Sequence, residues 1–241
     1  MRTNAGMVIL VSILVILAVL GSRGGVASDL PPLPPIPSVN RIAVVGMNGA
    51  IQTIKPDGTD PLDISGTDGF FTWPVWAPDG TKMVYSGLVE NASGTRSVTL
   101  FEYQNSTRTS RKIHVGEPGF IDLLADGFVH DPLWSPDSEK LAFVAVAQQT
   151  GLTLYLNDLK DDPNSQYILD QGPLWMSWSG DSSQIVVHRS VDHFLVQTDN
   201  PQAIVTQLGV SSLGYRVPAW KPNELTITFA RDTGISNSTI Y

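Results

Sequence analysis

The sequence predicts an all-β chain: a β-propeller of four-stranded antiparallel blades, with about four to five blades present and the set incomplete. Three observations predict it. A motif recurs four times, as Trp76-Ala77-Pro78-Asp79-Gly80, Trp134-Ser135-Pro136-Asp137-Ser138, Trp178-Ser179-Gly180-Asp181-Ser182 and Trp220-Lys221-Pro222-Asn223-Glu224. The tryptophans are spaced by 58, 44 and 42 residues, and a period of about 40–45 residues is that of one blade per repeat. Apolar residues follow each Trp at fixed offsets. The seventh residue is Met83, Leu141, Ile185 or Ile227, and the ninth is Tyr85, Phe143, Val187 or Phe229.

Each repeat reads as strand, tight turn, strand. The Trp ends the inner strand. Pro-Asp-Gly or its relatives make the turn, because Pro presets φ and Asp bonds back to the backbone. The seventh and ninth residues share one face of the next strand. Val84, Ala142 and Val186 between them are apolar too, so both faces of that strand are expected to be buried. A third segment recurs at Ile51–Ile54, 98–101, 152–155 and 194–196, and again at 239–241. Short outer strands follow at 62–64, 111–115, 166–169 and 203–208. Four short antiparallel strands make one blade. The motif tryptophans are expected to pack between blades, since large aromatics dominate such cores. Arg41-Ile42-Ala43-Val44-Val45 reads as the second strand of a blade whose first strand is missing, and 238–241 as the start of a segment cut off mid-strand.

The N-terminus is different in kind. Residues 7–20 are apolar apart from Ser12 and follow Arg2; Gly25-Val26-Ala27 is a small-x-small cleavage pattern. At 14 residues the run is shorter than the ~20 of a membrane span. Residues 1–27 therefore read as a signal peptide, with an uncleaved N-terminal membrane anchor as the alternative. Residues 28–40 read as a Pro-rich linker, and 41–241 as the propeller, truncated at its C-terminus. The chain has no Cys, which excludes disulfides, thiol catalysis and cysteine metal sites. The formal charge is −8 and no block of Lys or Arg occurs. This argues against a nucleic-acid partner, whose binding rests on basic surface.

Chemistry is not evident. G-x-S-x-G, H-E-x-x-H, P-loop and G-x-G-x-x-G patterns do not occur, so no catalytic residues, no metal and no cofactor are assigned. His188 and His193 flank Arg189-Ser190-Val191-Asp192 and read as surface or hairpin histidines rather than metal ligands. Asp158, Asp161, Asp162 and Asn164 read as a solvated turn rather than a Ca²⁺ loop.

The repeats resemble the blades of the TolB family, periplasmic propellers whose blade reads P-x-W-S-P-D-G-x-x-[LI]-A-F followed by L-Y-V-M-D-x-D-G. Pro132-Leu133-Trp134-Ser135-Pro136-Asp137 with Leu141-Ala142-Phe143, and Ile51-Gln52-Thr53-Ile54-Lys55-Pro56-Asp57-Gly58, carry the match. The resemblance spans residues 40–241. It implies a propeller of the bacterial envelope that is periplasmic or extracellular. TolB proteins also carry an α/β domain before the propeller, for which residues 28–40 leave no room. Similar blades occur in sensors and in propellers of prolyl-oligopeptidase-like peptidases.

The candidate binding residues lie one strand earlier. Trp73, Asp131, Trp175 and Val217 each stand three residues before a motif Trp and are expected to ring one mouth of the central channel. Phe70, Phe71, His130, Tyr215 and Arg216 are nearby. Aromatics with one Asp and one Arg suit peptide or protein capture; the alternative is that Trp73 and Trp175 only plug the channel. The apolar loop 116–131 lies on the same face. The expected function is a non-catalytic, exported module that binds an envelope protein or peptide. The alternatives are the propeller of a serine peptidase without its catalytic domain, and the extracellular sensor part of a membrane-anchored protein.

Overall fold

The computed structural model describes residues 40–90, 94–116, 130–147, 149–160, 165–200, 202–212, 217–222, 224–232 and 238–240. Residues 1–39, on which the expected signal peptide and most of the expected linker fall, lie outside them. Among the described residues every regular element is a strand, and no helix is long and apolar enough to cross a membrane.

A first, three-stranded sheet runs β1 (Ile42–Val45), β2 (Ile51–Ile54), β3 (Leu62–Asp63) in that order. Three four-stranded antiparallel blades follow, each a simple meander. The second blade is β4 (Gly69–Trp76), β5 (Lys82–Glu90), β6 (Arg96–Gln104) and β7 (Thr109–Val115). The third is β8 (His130–Trp134), β9 (Leu141–Ala147), β10 (Gly151–Asn157) and β11 (Gln166–Leu169). The fourth is β12 (Leu174–Trp178), β13 (Gln184–Arg189), β14 (Asp192–Gln197) and β15 (Ile204–Ser211). In the fifth repeat β16 (Ala219–Trp220) pairs with β17 (Ile227–Thr228), and β18 (Ala230–Asp232) with β19 (Ser238–Ile240).

The motif turns form as the residues dictate. Asp79 Oδ1 accepts from the Thr81 N–H at 2.9 Å, and Asp137 and Asp181 accept from Glu139 and Ser183, both at 3.0 Å. The fifth motif residue takes a left-handed conformation, with φ of 68° at Gly80, 65° at Ser138 and 64° at Ser182. Glycine adopts it freely. The two serines give something glycine cannot. Ser138 Oγ accepts the Asp79 N–H at 3.1 Å, and Ser182 Oγ accepts the Asp137 N–H at 3.0 Å, each across to the preceding blade.

The cores lie between blades. Ile51 meets Phe71, Met83, Tyr85 and Tyr103 between the first and second blades. Val84, Leu100 and Ile113 meet Trp134, Leu141 and Phe143 between the second and third. Val144, Leu154 and Ile168 meet Met176, Trp178, Ile185 and Val187 between the third and fourth. Met83, Val84 and Tyr85 are all buried, as are Leu141, Ala142 and Phe143, so the middle strand is enclosed on both faces. His114 reaches across from β7 to lie against Phe143 and Tyr155, each 5.0 Å away between ring centres.

One bond ties each pair of inner strands. Trp134 Nε1 donates to Val75 O at 3.1 Å, Trp178 Nε1 to Leu133 O at 3.0 Å and Trp220 Nε1 to Ser177 O at 3.0 Å. The acceptor is always the residue just before the preceding motif Trp. Trp76 Nε1 is buried and finds no acceptor among the described residues; the corresponding carbonyl would belong to an inner strand of the first blade.

Trp134→Phe leaves the Val75 carbonyl without its donor, whereas Trp76→Phe removes no hydrogen bond to a described residue. Urea melts should show Trp134→Phe costing about 1–2 kcal/mol more than Trp76→Phe, the cost of an abandoned buried acceptor. Equal losses would remove the indole bond from its structural role.

Burial pushes the His114 imidazole down to about 4 from its ordinary 6.5, and burial followed by the neighbouring His188 lowers His193. Both groups bind protons more readily in the unfolded chain, so stability falls as pH drops below about 6.5. His114 alone accounts for about 3 kcal/mol by the time pH reaches 4. Denaturation midpoints measured between pH 7 and pH 4 should fall more steeply for the parent than for His114→Gln.

Candidate functional site

The inner strands β4 and β8 carry the site because neither is regular. Pro74 and Pro132 stand two residues before Trp76 and Trp134. Proline has no N–H to give the ladder, which confines it to edges and bulges. Both strands accordingly skip register: Thr72 pairs with Ser86 and Val75 with Val84, so Trp73 and Pro74 together oppose Tyr85. His130 pairs with Val144 and Leu133 with Ala142, so Asp131 and Pro132 oppose Phe143. The residue before each proline has positive φ, 54° at Trp73 and 49° at Asp131. This is costly for a side chain with a Cβ, above all for a bulky one. Bulges re-aim side chains and are common beside functional sites.

The fourth blade has Met176 in place of the proline and no bulge at the corresponding point. Trp175 stays in the ladder opposite His188, and Met176 opposite Val187. Trp175 is nonetheless brought to the same place. Trp73, Asp131, Trp175 and Val217 line one cavity of about 310 Å³, floored by Val75, Leu133, Leu174 and Met176. Four residues chosen by one offset from four tryptophans therefore converge. Trp73 is 42% exposed and Val217 63% exposed; Asp131 is exposed and Trp175 half-buried.

The remaining expected rim residues fare differently. Phe71 is a core residue, 3% exposed, and not part of the rim. Its ring packs edge-on against Tyr85 and Phe101 at 5.7 and 5.9 Å. It lies so close over Gly87 that a Cβ there would stand 2.3 Å from it. In a regular strand Phe71 and Trp73 would share a face; the bulge between them turns Trp73 out while Phe71 stays in. His130 begins β8. Tyr215, Arg216 and loop residues 117–129 lie outside the described residues, as do Asp161, Asp162 and Asn164.

His188 and His193 are the hairpin pair expected from their spacing, but they are buried rather than on the surface, each with no exposure. They oppose each other on β13 and β14, their rings stacked at 4.5 Å and 5°. His193 Nδ1 lies 3.3 Å from Val210 O. The column continues to Trp175, 5.3 Å from His188, and to Phe229, 5.2 Å from His193. The wall of the cavity thus rests on buried histidines. Sequence reading missed this because Trp175 and His188 are joined only by register. Among the described residues no cluster of His, Asp or Glu could hold a metal ion.

A larger cleft of about 530 Å³ lies among Lys140, Asp158, Lys160, Thr198 and Asp199. Its charges are already paired, Lys140 with Asp199 at 2.9 Å and Lys160 with Asp158 at 3.0 Å. Lys140 also repeats the structural role of Lys82, each donating to the carbonyl of the next blade's turn serine, so the cavity at the inner strands is the better candidate.

No family model matches the chain, and no curated protein matches it. Solved structures do. TolB from Acinetobacter baumannii is 17% identical, over 79% of this chain and 45% of that one, with a TM-score of 0.49. The acylaminoacyl peptidase of Pyrococcus horikoshii is 14% identical, over 83% and 35%, with a TM-score of 0.50. A prolyl endopeptidase is 11% identical, over 79% and 30%, with a TM-score of 0.52. This chain spans less than half the length of each. At such identities the likeness is one of fold, and the four-stranded antiparallel meanders are the blades of a β-propeller.

Positive φ at Asp131 yields a stability order that separates site from scaffold. Asp131→Gly relieves the conformation and should leave unfolding free energy unchanged or higher by up to about 1 kcal/mol. Asp131→Ala keeps the strain and should cost less than about 1 kcal/mol, against about 3–5 kcal/mol for Trp134→Ala in the core. Thermal melts in the reverse order would show Asp131 to be part of the scaffold.

Proposed function

We propose that this chain is a non-catalytic, exported binding module that captures a protein or peptide at the mouth formed by Trp73, Asp131, Trp175 and Val217. One observation carries the reading: residues at a single repeat offset converge on one cavity, and two of them do so through strained backbone. Blade packing does not require that strain, since β12 is built without it. Strained residues held by a rigid surround cluster at ligand sites, and exposed Trp is among the residues that dominate binding hot spots. The partner is a protein or peptide of the bacterial envelope. The N-terminal pattern of residues 1–27 supports export to the periplasm or cell exterior, and N-terminal sequencing of the exported protein distinguishes cleavage after Ala27 from retention as an anchor.

A second reading, the propeller of a serine peptidase, is favoured by the fold likeness to the two peptidases with TM-scores of 0.50 and 0.52. Under it the cavity would face a peptidase domain, and coding sequence following Tyr241 would contain G-x-S-x-G.

The double change Trp73→Ala/Trp175→Ala tests capture. Tagged full chain, exported in its host, should lose at least about tenfold in partner recovery, the effect of removing hot-spot aromatics. Its melting temperature should stay within a few degrees of the parent. Equal recovery by the two would end the capture reading. Loss of folding in the double variant would make both indoles core residues that plug the channel.

A further inference from the structure

The cavity at the inner strands is walled by two indoles, and Asp131 is the one ionisable group among the described residues that line it. The rest of the lining is aliphatic, proline or methionine. An apolar ligand would leave the carboxylate unused, and an acidic one would be repelled by it. A divalent cation would want six or more oxygen ligands, and the lining offers one carboxylate among apolar side chains. An organic cation uses both features: indole faces attract it through the ring quadrupole, and a carboxylate gives it a charge-assisted hydrogen bond.

We propose that this cavity takes a single basic side chain, arginine in preference to lysine, presented by the peptide or protein captured at the mouth; the proposal rests on the capture reading above. Size agrees. About 310 Å³ is at the small end of ligand pockets and holds one long side chain rather than a folded peptide. Aim agrees as well. Positive φ is found at Trp73 and Asp131, an aromatic and the carboxylate, which are the groups a cation needs. The formal charge of −8 favours approach of a basic partner. Arginine ranks first because a planar guanidinium stacks on an indole while its fork meets a carboxylate through two N–H groups.

The test is a titration of the full chain, followed by intrinsic Trp fluorescence, with acetyl-Gly-Xaa-Gly-amide peptides in which Xaa is Arg, Lys, norleucine or Glu. Norleucine matches the length of the Lys stem without its charge. The Arg peptide should bind about tenfold tighter than the norleucine peptide, with Lys between them and Glu weakest. In Asp131→Asn, chosen because Asn tolerates positive φ, the Arg advantage should shrink below about threefold while norleucine binding holds. An Arg advantage that survives Asp131→Asn, a norleucine peptide as tight as the Arg peptide, or no binding of any peptide at about 5 mM would each overturn the proposal. The two readings fail separately. Partner recovery that depends on Trp73 and Trp175 without any Arg preference removes the cation site and leaves the capture site. Recovery that is indifferent to both indoles removes the two together.

Discussion

The indole N–H of each motif Trp, given to a backbone carbonyl of the preceding blade, is the constraint on which the rest of this molecule depends. A side chain that reaches a neighbour's main chain fixes the distance between inner strands in a way that greasy contact alone does not. The bond recurs at 3.0–3.1 Å at three successive interfaces. Its acceptor is the residue just before a motif Trp, so each repeat supplies an acceptor to the next blade and a donor to the one before. A period-two strand then places the seventh and ninth residues facing that neighbour. Each interface fills with apolar side chains from both blades, and dense packing makes the arrangement rigid. On the turn side, Ser138 and Ser182 repeat the same tactic with backbone N–H groups of Asp79 and Asp137.

This rigidity is what permits strain one turn of chain away. A non-glycine residue in the left-handed region costs about 1–2 kcal/mol, and two such residues persist because strong ladders flank them. The prolines two residues before Trp76 and Trp134 break pairing at one point, and the chain resumes register at Val75 and Leu133. Those two residues are also the acceptors of the Trp134 and Trp178 indoles. The bulge is pinned immediately after it occurs, and the residues it displaces, Trp73 and Asp131, line the cavity.

Much of this was legible in the chain. The repeat of Trp, turn and apolar pair gave the blade and its interfaces, because period-two faces and turn chemistry are local properties. The offset of minus three from each Trp located the cavity, because equivalent positions in a repeat are equivalent in space. Phe71 was not legible as core, since period two puts it beside Trp73 and only the bulge separates them. The signal for that bulge was present: Pro74 and Pro132 interrupt strands that otherwise read as regular, while the fourth repeat has Met176. His188 and His193 were legible as a hairpin but not as buried. Polar residues either side of a turn read as surface unless the next blade is known to cover them, and Phe229 is the residue that lies against His193.

The histidine pair is the fourth blade's own ring stack. It lies one residue further along the strand than the Tyr and Phe stacks of the second and third blades and on the opposite face of its sheet, since Val187 holds the equivalent position. Tyr85 stacks on Phe101 at 5.1 Å and Phe143 on Tyr155 at 5.6 Å, each across two middle strands at an interface. His188 and His193 stack across strands in a similar way at 4.5 Å, on the face turned towards the fifth repeat. Flat rings fill the thin space between sheets, and an imidazole does so as well as a phenyl while it is neutral. Burial and the neighbouring His188 both lower the affinity of His193 for a proton, and two imidazolium rings at that distance would repel. The stack therefore suits a neutral His193, and Trp175 packs against the same column through His188. Two walls of the cavity are set by backbone that proline has forced out of the ladder. The third is set by a regular strand whose support is a stacked pair of buried imidazoles.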